Sequence, residues 1–310
     1  MIKLVRRRVL LAKAETVYNT DSVPTGAANA ILIEDLNWSP EGLRMVDRPA
    51  IRGSLGALQQ VYGGSLLSVS FSAEVKGSGA AGTAPELGPL FLGSAMAETI
   101  VAATSVTYNP ASATQSSLTL YFYEDGTLTK LTGCRGNVDF VGEVGARLMA
   151  SFTFQGHFSG PTDVALATPT YDTTIPPILI NGNFTIGAFG AIIQALNVSS
   201  GNTLEVPPNL SSADGYGEVL VTSRDINGSI NPEQTLVATK DFMAAFKAGT
   251  TEALDTGVLG ATAGNRVRIQ MPAVYYRSIS PSERQGVLAY DLPFGAAEVT
   301  GDDEMSISFS

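Results

Sequence analysis

Between Leu67 and Lys76 the chain alternates without a break: Leu67, Val69, Phe71, Ala73 and Val75 are apolar, and Ser68, Ser70, Ser72, Glu74 and Lys76 are polar. A period of two does not match a helix, which turns every ~3.6 residues, but it gives a strand one dry face and one wet face. Strands wet on one side belong to antiparallel sheets. The pattern recurs at Leu118-Leu120-Phe122, Leu148-Ala150-Phe152-Phe154, Val267-Ile269-Met271 and Met305-Ile307-Phe309, so the fold is predicted to be mainly β. Asp125-Gly126, between Tyr121-Phe122-Tyr123 and Leu128-Leu131, predicts a hairpin, because a tight type I′ turn needs residues that tolerate positive φ.

Two segments carry helical spacing. One is 86–99, with Pro89 in the opening turn and Leu87, Leu90, Phe91 and Met96 on one side; the other is 239–248, with Thr239 as N-cap, Phe242, Met243 and Phe246 as a stripe, and Gly249 as the stop. They fall in different halves, and the elements around them repeat in order. The first half reads as a strand at Leu36-Asn37, an excursion at 39–64, the strand 67–75, the helix, and strands at 116–123, 137–141 and 147–155. The second reads as a strand at Leu196-Asn197, an excursion at 203–216, a strand at 218–223, the helix, and strands at 266–271, 273–279 and 286–292. With a length near the usual size of two domains, the expected organisation is a basic arm (1–30), a first β domain (31–160), a proline-bearing linker (161–182) and a second β domain (183–310).

Charge divides unevenly. Residues 1–13 hold Lys3, Arg6, Arg7, Arg8 and Lys13 with no acid, which leaves 14 basic residues against 29 acidic ones in the remainder. An acidic body disfavours nucleic-acid binding, which depends on neutralising phosphates with Lys and Arg. The apolar run after Arg8 ends at Ala12, short of the ~7–15 residues of a signal-peptide core. No run approaches the ~18 apolar residues of a membrane helix, so the expectation is a soluble chain made in a reducing cytoplasm. The sequons at Asn37, Asn183, Asn197, Asn209 and Asn227 are then without consequence.

Candidate chemistry is sparse. One cysteine (Cys134) and one histidine (His157) exclude disulfide frameworks and paired-ligand zinc motifs. Gly77-Ser78-Gly79-Ala80-Ala81-Gly82 matches a dinucleotide fingerprint, but its preceding strand is half wet, whereas a nucleotide-binding first strand is buried on both faces. Cys134 beside Arg135 lacks a nearby base, and the acids Glu124-Asp125 and Asp302-Asp303-Glu304 fall in turns. No catalytic, cofactor or metal site is predicted.

Five segments do carry a signature: LLAKAETVY (10–18), PTGAANAI (24–31), GSGAAGTAP (77–85), SLTLYFY (117–123) and Lys240-Asp241-Phe242. Together they resemble the major tail tube proteins of long-tailed bacteriophages and transposable-phage-like prophages, over almost the whole chain. The resemblance implies two tandem tail-tube domains of β-sandwich or barrel type, each flanked by one α-helix, in a non-enzymatic virion protein made in the host cytoplasm. It further implies rings stacked into a hollow tube that conducts DNA. A duplicated chain would close the ring with three copies in pseudo-sixfold symmetry, six being the alternative.

On that reading the wet strands face the channel, with Ser68, Ser70, Ser72, Glu74 and Asp291 as lining candidates, strand 147–155 beside them, and Glu218 and Thr222 of strand 218–223 as second-half counterparts. A neutral to acidic wall repels DNA phosphates. Contacts between subunits and rings are expected from Lys3, Arg6, Arg7 and Arg8 of the arm and from Arg44, Asp47, Arg48 and Arg52 of the first excursion. Implied partners are further copies of the chain, a tape measure protein in the lumen, a tail terminator, baseplate or distal tail proteins, and DNA in passage without specific binding, with no membrane. A carbohydrate-binding or adhesin-like β-sandwich module of a virion or secretion apparatus is the alternative, disfavoured by a single tryptophan (Trp38).

Overall fold

The computed structural model describes residues 2–310; Met1, the first residue of the basic arm, lies outside them. Among the described residues, twenty-two strands and two short helices make the chain mainly β. Seven strands form one antiparallel sheet in the spatial order Glu34–Glu41, Leu66–Glu74, Met149–Asp163, Thr127–Glu143, Ala195–Ser199, Asn227–Ile230 and Val287–Ala296, with Ser280–Arg284 paired to the far side of the last. The alternation seen at 67–75 becomes the strand Leu66–Glu74, and its dry row of Leu67, Val69, Phe71 and Ala73 is buried.

A second sheet runs Met96–Val101, Ser105–Pro110, Ser306–Phe309, Val267–Tyr276, Glu252–Asp255 and Thr185–Ile186. It turns into the first sheet where Tyr276 lies opposite Phe294. Between the layers sits the helix Gly88–Gly93, and its Phe91 ring lies 5.8 Å from Phe152 and 6.0 Å from Phe140 on one side, and 4.9 Å from Tyr108 and 6.0 Å from Phe309 on the other. The architecture is therefore of β-sandwich type. Traced strand by strand, the pairings branch but never return on themselves, so among the described residues no barrel closes within the chain.

The same series of six antiparallel pairings occurs in each half. In the first, Ala30–Ile31 pairs with Arg8–Ala14, and the ladder continues through Leu118–Glu124, Thr127–Glu143, Met149–Asp163 and Leu66–Glu74 to Glu34–Glu41. In the second, Phe189–Gly190 pairs with Thr185–Ile186, and the ladder continues through Glu252–Asp255, Val267–Tyr276, Val287–Ala296 and Asn227–Ile230 to Ala195–Ser199. The halves are also stitched together: Thr127–Glu143 pairs with Ala195–Ser199, Ser105–Pro110 pairs with Ser306–Phe309, and a single apolar cluster extends from Leu10 to Phe309.

Several sequence expectations need correction. The first helix ends at Gly93, not 99, because the Ser94 amide closes it on the Leu90 and Phe91 carbonyls and Ala95 takes φ 57°, after which Thr99-Ile100-Val101 suits a strand better. The second helix is Phe242–Ala248, capped by Asp241 rather than Thr239: the Asp241 carboxylate accepts from the Ala244 amide at 2.8 Å. Strands 266–271 and 273–279 are one element, Val267–Tyr276, which accommodates Pro272 at a shift in register opposite 252–254. The hairpin turn stands as expected, with Asp125 and Gly126 at φ 38° and 100°.

The basic segment is not an arm through residue 30. Arg8–Ala14 is a strand whose Val9, Leu10, Leu11 and Ala12 are buried against Leu118–Glu124 and Ala30–Ile31. Four consecutive apolar residues with both faces covered bind this segment to its own chain.

Candidate functional site

Opposed residues in an antiparallel sheet point to the same side, so the register of the first sheet defines its two faces row by row. One row runs Ala73, Ala150, Phe140, Val198, Gly228 and Phe294, and all but the half-buried Gly228 are fully inside. Gly228 is required there, since a Cβ would stand 2.1 Å from the Asn197 carbonyl oxygen and 2.5 Å from the Phe294 ring. The adjacent row runs Ser72, Ser151, Asp139, Ser199, Asn227 and Gly295, and it forms part of a polar outer face. Its side chains bond to one another: Ser72 and Ser151 hydroxyls meet at 2.9 Å, and Ser199 donates to the Asp139 carboxylate.

Ser68, Ser70, Ser72 and Glu74 lie on this face, and so does Asp291, two residues from Pro293, which stands opposite Ser229. The register brings together residues that the sequence placed in separate halves. Strand 147–155 joins them directly through the pairs Ser72–Ser151, Ser70–Thr153 and Ser68–Gln155. Strand 218–223 does not. The element there is Leu220–Arg224, which among the described residues pairs only with Asn202–Glu205, and Glu218 is instead held 2.7 Å from the guanidinium of buried Arg135. Asn227–Ile230 takes the position expected for it. Lys76 is also off the face: it is buried, 3.6 Å from the Glu86 carboxylate, and donates to the Asp172 carbonyl at 2.8 Å.

Asn137, Asp139, Asn197, Ser199, Asn227 and Ser229 belong to the face but were absent from the sequence-based candidates. The signal was present as alternation with Val138, Phe140, Leu196 and Val198. Which strands neighbour one another was not. Cations on the face are tied to acids: Arg147 to Glu34 at 3.2 Å and to Glu74, and Arg277 to Asp225. Asp139 and Asp291 remain exposed, which makes the face neutral to acidic.

The interface candidates separate into those engaged within the chain and those held outward. Lys3 donates to the Thr127 hydroxyl at 2.8 Å, Arg7 pairs with Asp125 at 2.9 Å, and Arg8 reaches both Glu124 and the Leu36 carbonyl at 2.9 Å. Arg6 is exposed. Arg44 is a clasp inside the chain, lying 3.8 Å over the Tyr216 ring and donating to the Gly215 carbonyl at 3.0 Å. Asp47 accepts from Gln60 at 2.6 Å, Arg52 bonds the Gly56 and Ala57 carbonyls of its own loop, and Arg48 stands exposed. Ile51 and Leu55 project fully into solvent from the same loop, and Leu210 does so from the loop that Arg44 grips.

The residues weighed for chemistry have structural roles. His157 Nδ1 lies 2.5 Å from the Asp214 carboxylate, and Tyr18, which accepts from the Val219 amide at 2.7 Å, covers its other edge. Burial works to raise the Asp214 carboxyl, but hydrogen bonds from Ser212, His157 and the Tyr216 amide outweigh it and hold the group below the usual carboxylate range. Burial pushes the Cys134 thiol up, away from nucleophile behaviour. The Gly77–Gly82 loop packs on the second half: the Gly77 amide donates to Asn265 at 2.9 Å, and a Cβ on Gly77 would lie 2.1 Å from the Gly264 carbonyl oxygen. Arg7 and Arg8 hold Asp125 and Glu124, and Arg224 holds Asp302 and Glu304 at 2.9 and 2.8 Å. Among the described residues no helix is long and apolar enough to cross a membrane.

A family model described as phage tail tube protein matches residues 6–310. No curated protein matches the sequence.

Proposed function

The chain belongs to the phage tail tube protein family, a structural component of the virion tail and not an enzyme, and on that premise we propose that it builds the tube of a long-tailed phage as rings of three chains. The observation that carries this reading is the ladder of six pairings that occurs twice along one chain. Two like units per chain and three chains give a pseudo-sixfold ring; a ring of six chains is the alternative stoichiometry. The first unit starts at Arg8–Ala14, the counterpart of Thr185–Ile186, and the stretch after Asp163 leads to the second.

In such a ring the polar face lines the channel, with Ser68, Ser70, Ser72, Glu74 and Asp291 in the wall. A hydrated, neutral to acidic surface gives DNA phosphates nothing to bind during ejection. The exposed loop tips around Ile51 and Leu55 and around Leu210 meet the next ring, together with Arg6 and Arg48. A tape measure protein occupies the lumen during assembly, and terminator and baseplate or distal tail proteins close the ends.

Negative-stain microscopy of the purified chain at high concentration should show rings or tubes, and the mass of an isolated ring decides between three and six copies; a chain that stays monomeric overturns the reading. Ser70→Lys with Ser72→Lys should leave assembly intact and reduce DNA delivery at least tenfold. Wild-type infectivity in that variant would remove these positions from the channel wall.

A further inference from the structure

The first sheet ends in two strands that are each paired on one side only among the described residues: Glu34–Glu41, which pairs with Leu66–Glu74, and Ser280–Arg284, which pairs with Val287–Ala296. Each is the counterpart of a strand that is paired on both sides where the halves join. There, Asp139, Phe140, Val141 and Gly142 of one unit lie opposite Ser199, Val198, Asn197 and Leu196 of the other.

Correspondence between the units fixes the residues. Asn37 opposite Ser70 matches Asn197 opposite Ser229, so Glu34–Glu41 stands where Ala195–Ser199 stands. Val141 opposite Met149 matches Ser282 opposite Ala289, so Ser280–Arg284 stands where the end of Thr127–Glu143 stands. We propose that the Ser280–Arg284 strand of one chain adds to the Glu34–Glu41 strand of the next copy in the register of the internal joint, with Ser280, Pro281, Ser282 and Glu283 opposite Ser39, Trp38, Asn37 and Leu36. The proposal rests on the tube reading and specifies the partner and alignment of the same sheet.

Three features of the edges agree with this register. At the internal joint the Phe140–Val198 pair is buried, with each residue 1% exposed; at the open edges the same pair becomes Pro281 and Trp38, a small residue facing a large one, and Trp38 is 48% exposed in the single chain. A large aromatic left half in water at a sheet edge gains by being covered. The backbone is also aimed correctly. The Tyr290 amide donates to the Pro232 carbonyl, away from Ser280–Arg284, so Pro281 opposite it directs its carbonyl to the open side, where the Trp38 amide can donate to it. On the other edge, the Leu36 carbonyl accepts from Arg8 Nη1 of its own chain at 2.9 Å and keeps a second lone pair for a partner amide.

Third, the charges suit. The register brings Arg284, which bonds Glu233 within its own chain, beside Asp35, an exposed acid that takes φ 54° in a bulge. The prolines Pro40 and Pro281 withhold amides from the two edges, which limits unspecific strand addition without preventing this one.

The test uses the full chain with Ser282→Cys and Asn37→Cys, oxidised after assembly. In the proposed register these positions form a non-hydrogen-bonded pair, whose Cα atoms lie about 4.5 Å apart, within disulfide reach. The one native thiol, Cys134, is buried. The expected result is a reductant-sensitive ladder of linked chains that stops at the copy number of the ring, at least tenfold more abundant than with Ser282→Cys and Trp38→Cys, which is one residue out of register. Equal or greater linking by the shifted pair overturns the register.

The wild-type chain supplies a second reading that does not depend on the variants folding. Trp38 is its only tryptophan, and its emission should move to shorter wavelength on assembly. Tubes with unchanged Trp38 emission overturn this joint while leaving the tube reading intact, whereas a chain that never assembles overturns both.

Discussion

The two helices occupy the same place in the two ladders and are buried to very different depths. Gly88–Gly93 lies between sheets, with Leu90 and Phe91 wholly inside and aromatic rings from both layers around it. Phe242–Ala248 buries only Phe242, against Phe189, Tyr276 and Tyr290, and leaves Met243 and Phe246 at 40% and 36% exposure. The cause lies in the segment C-terminal to each helix. The first leads into the hairpin Met96–Pro110, whose Tyr108 packs on Phe91 and whose second strand, Ser105–Pro110, pairs with the C-terminal Ser306–Phe309. The second leads, through three residues, directly into Glu252–Asp255. The same ladder thus supports a closed core in one half and a helix at the surface in the other.

If burial depth governs stability, Phe91→Ala should be the most damaging single change, costing about 3–5 kcal/mol because the rigid layers around it cannot collapse into the void. Phe242→Ala should fall at the lower end of that range, near about 3 kcal/mol, since a helix at the surface can shift inward. Denaturant unfolding of the two variants measures the gap, and equal losses would remove the contrast between the halves.

A smaller effect tests the contact that holds the excursion loops. Because the folded Asp214 carboxyl lies below its ordinary value, its contribution is fully present above the unfolded value near 3.8 and is lost as pH falls from there through the lower folded value. Asp255 and Asp302 are depressed too, Asp255 by Arg268 and the Gly257 amide against its burial, and Asp302 first by Ser112, then by Arg224. Melting temperature should therefore drop steeply below about pH 4, and Asp214→Asn should make that drop shallower. An identical acid limb in the variant would take Asp214 out of the account. The smallest effect concerns the second helix alone: Asp241→Ala should cost about 1 kcal/mol as a lost N-cap, and Thr239→Ala should be close to neutral, which circular dichroism melts would resolve.

Local readings were as good as the local physics behind them. Alternation at 67–75, 148–154, 267–271 and 305–309 located strands and their inner faces, because side-chain direction in a strand depends on nothing beyond position parity. The Asp125-Gly126 turn and the Gly249 stop came from backbone sterics. Readings that depended on distant partners went astray. Thr239 and Asp241 are both acceptable caps, and packing of Phe242 chose between them. The basic segment suggested an arm until Leu118–Glu124 paired with it. Strand 218–223 alternated well enough, but Arg135 draws Glu218 aside and Leu220–Arg224 pairs elsewhere.

By itself, then, the sequence determined that this chain is a sheet protein, that its alternating strands have one dry and one wet face, and that its elements recur in the same order in two halves, since periodicity and residue chemistry are properties of short segments. Only the tertiary structure decided that Ser72 and Asn227 share one polar row, that Arg44 is spent within the chain, and that Trp38 and Pro281 stand at open edges. Those facts depend on strand order and register, which are set by contacts between residues far apart in the chain and leave no mark on either segment alone.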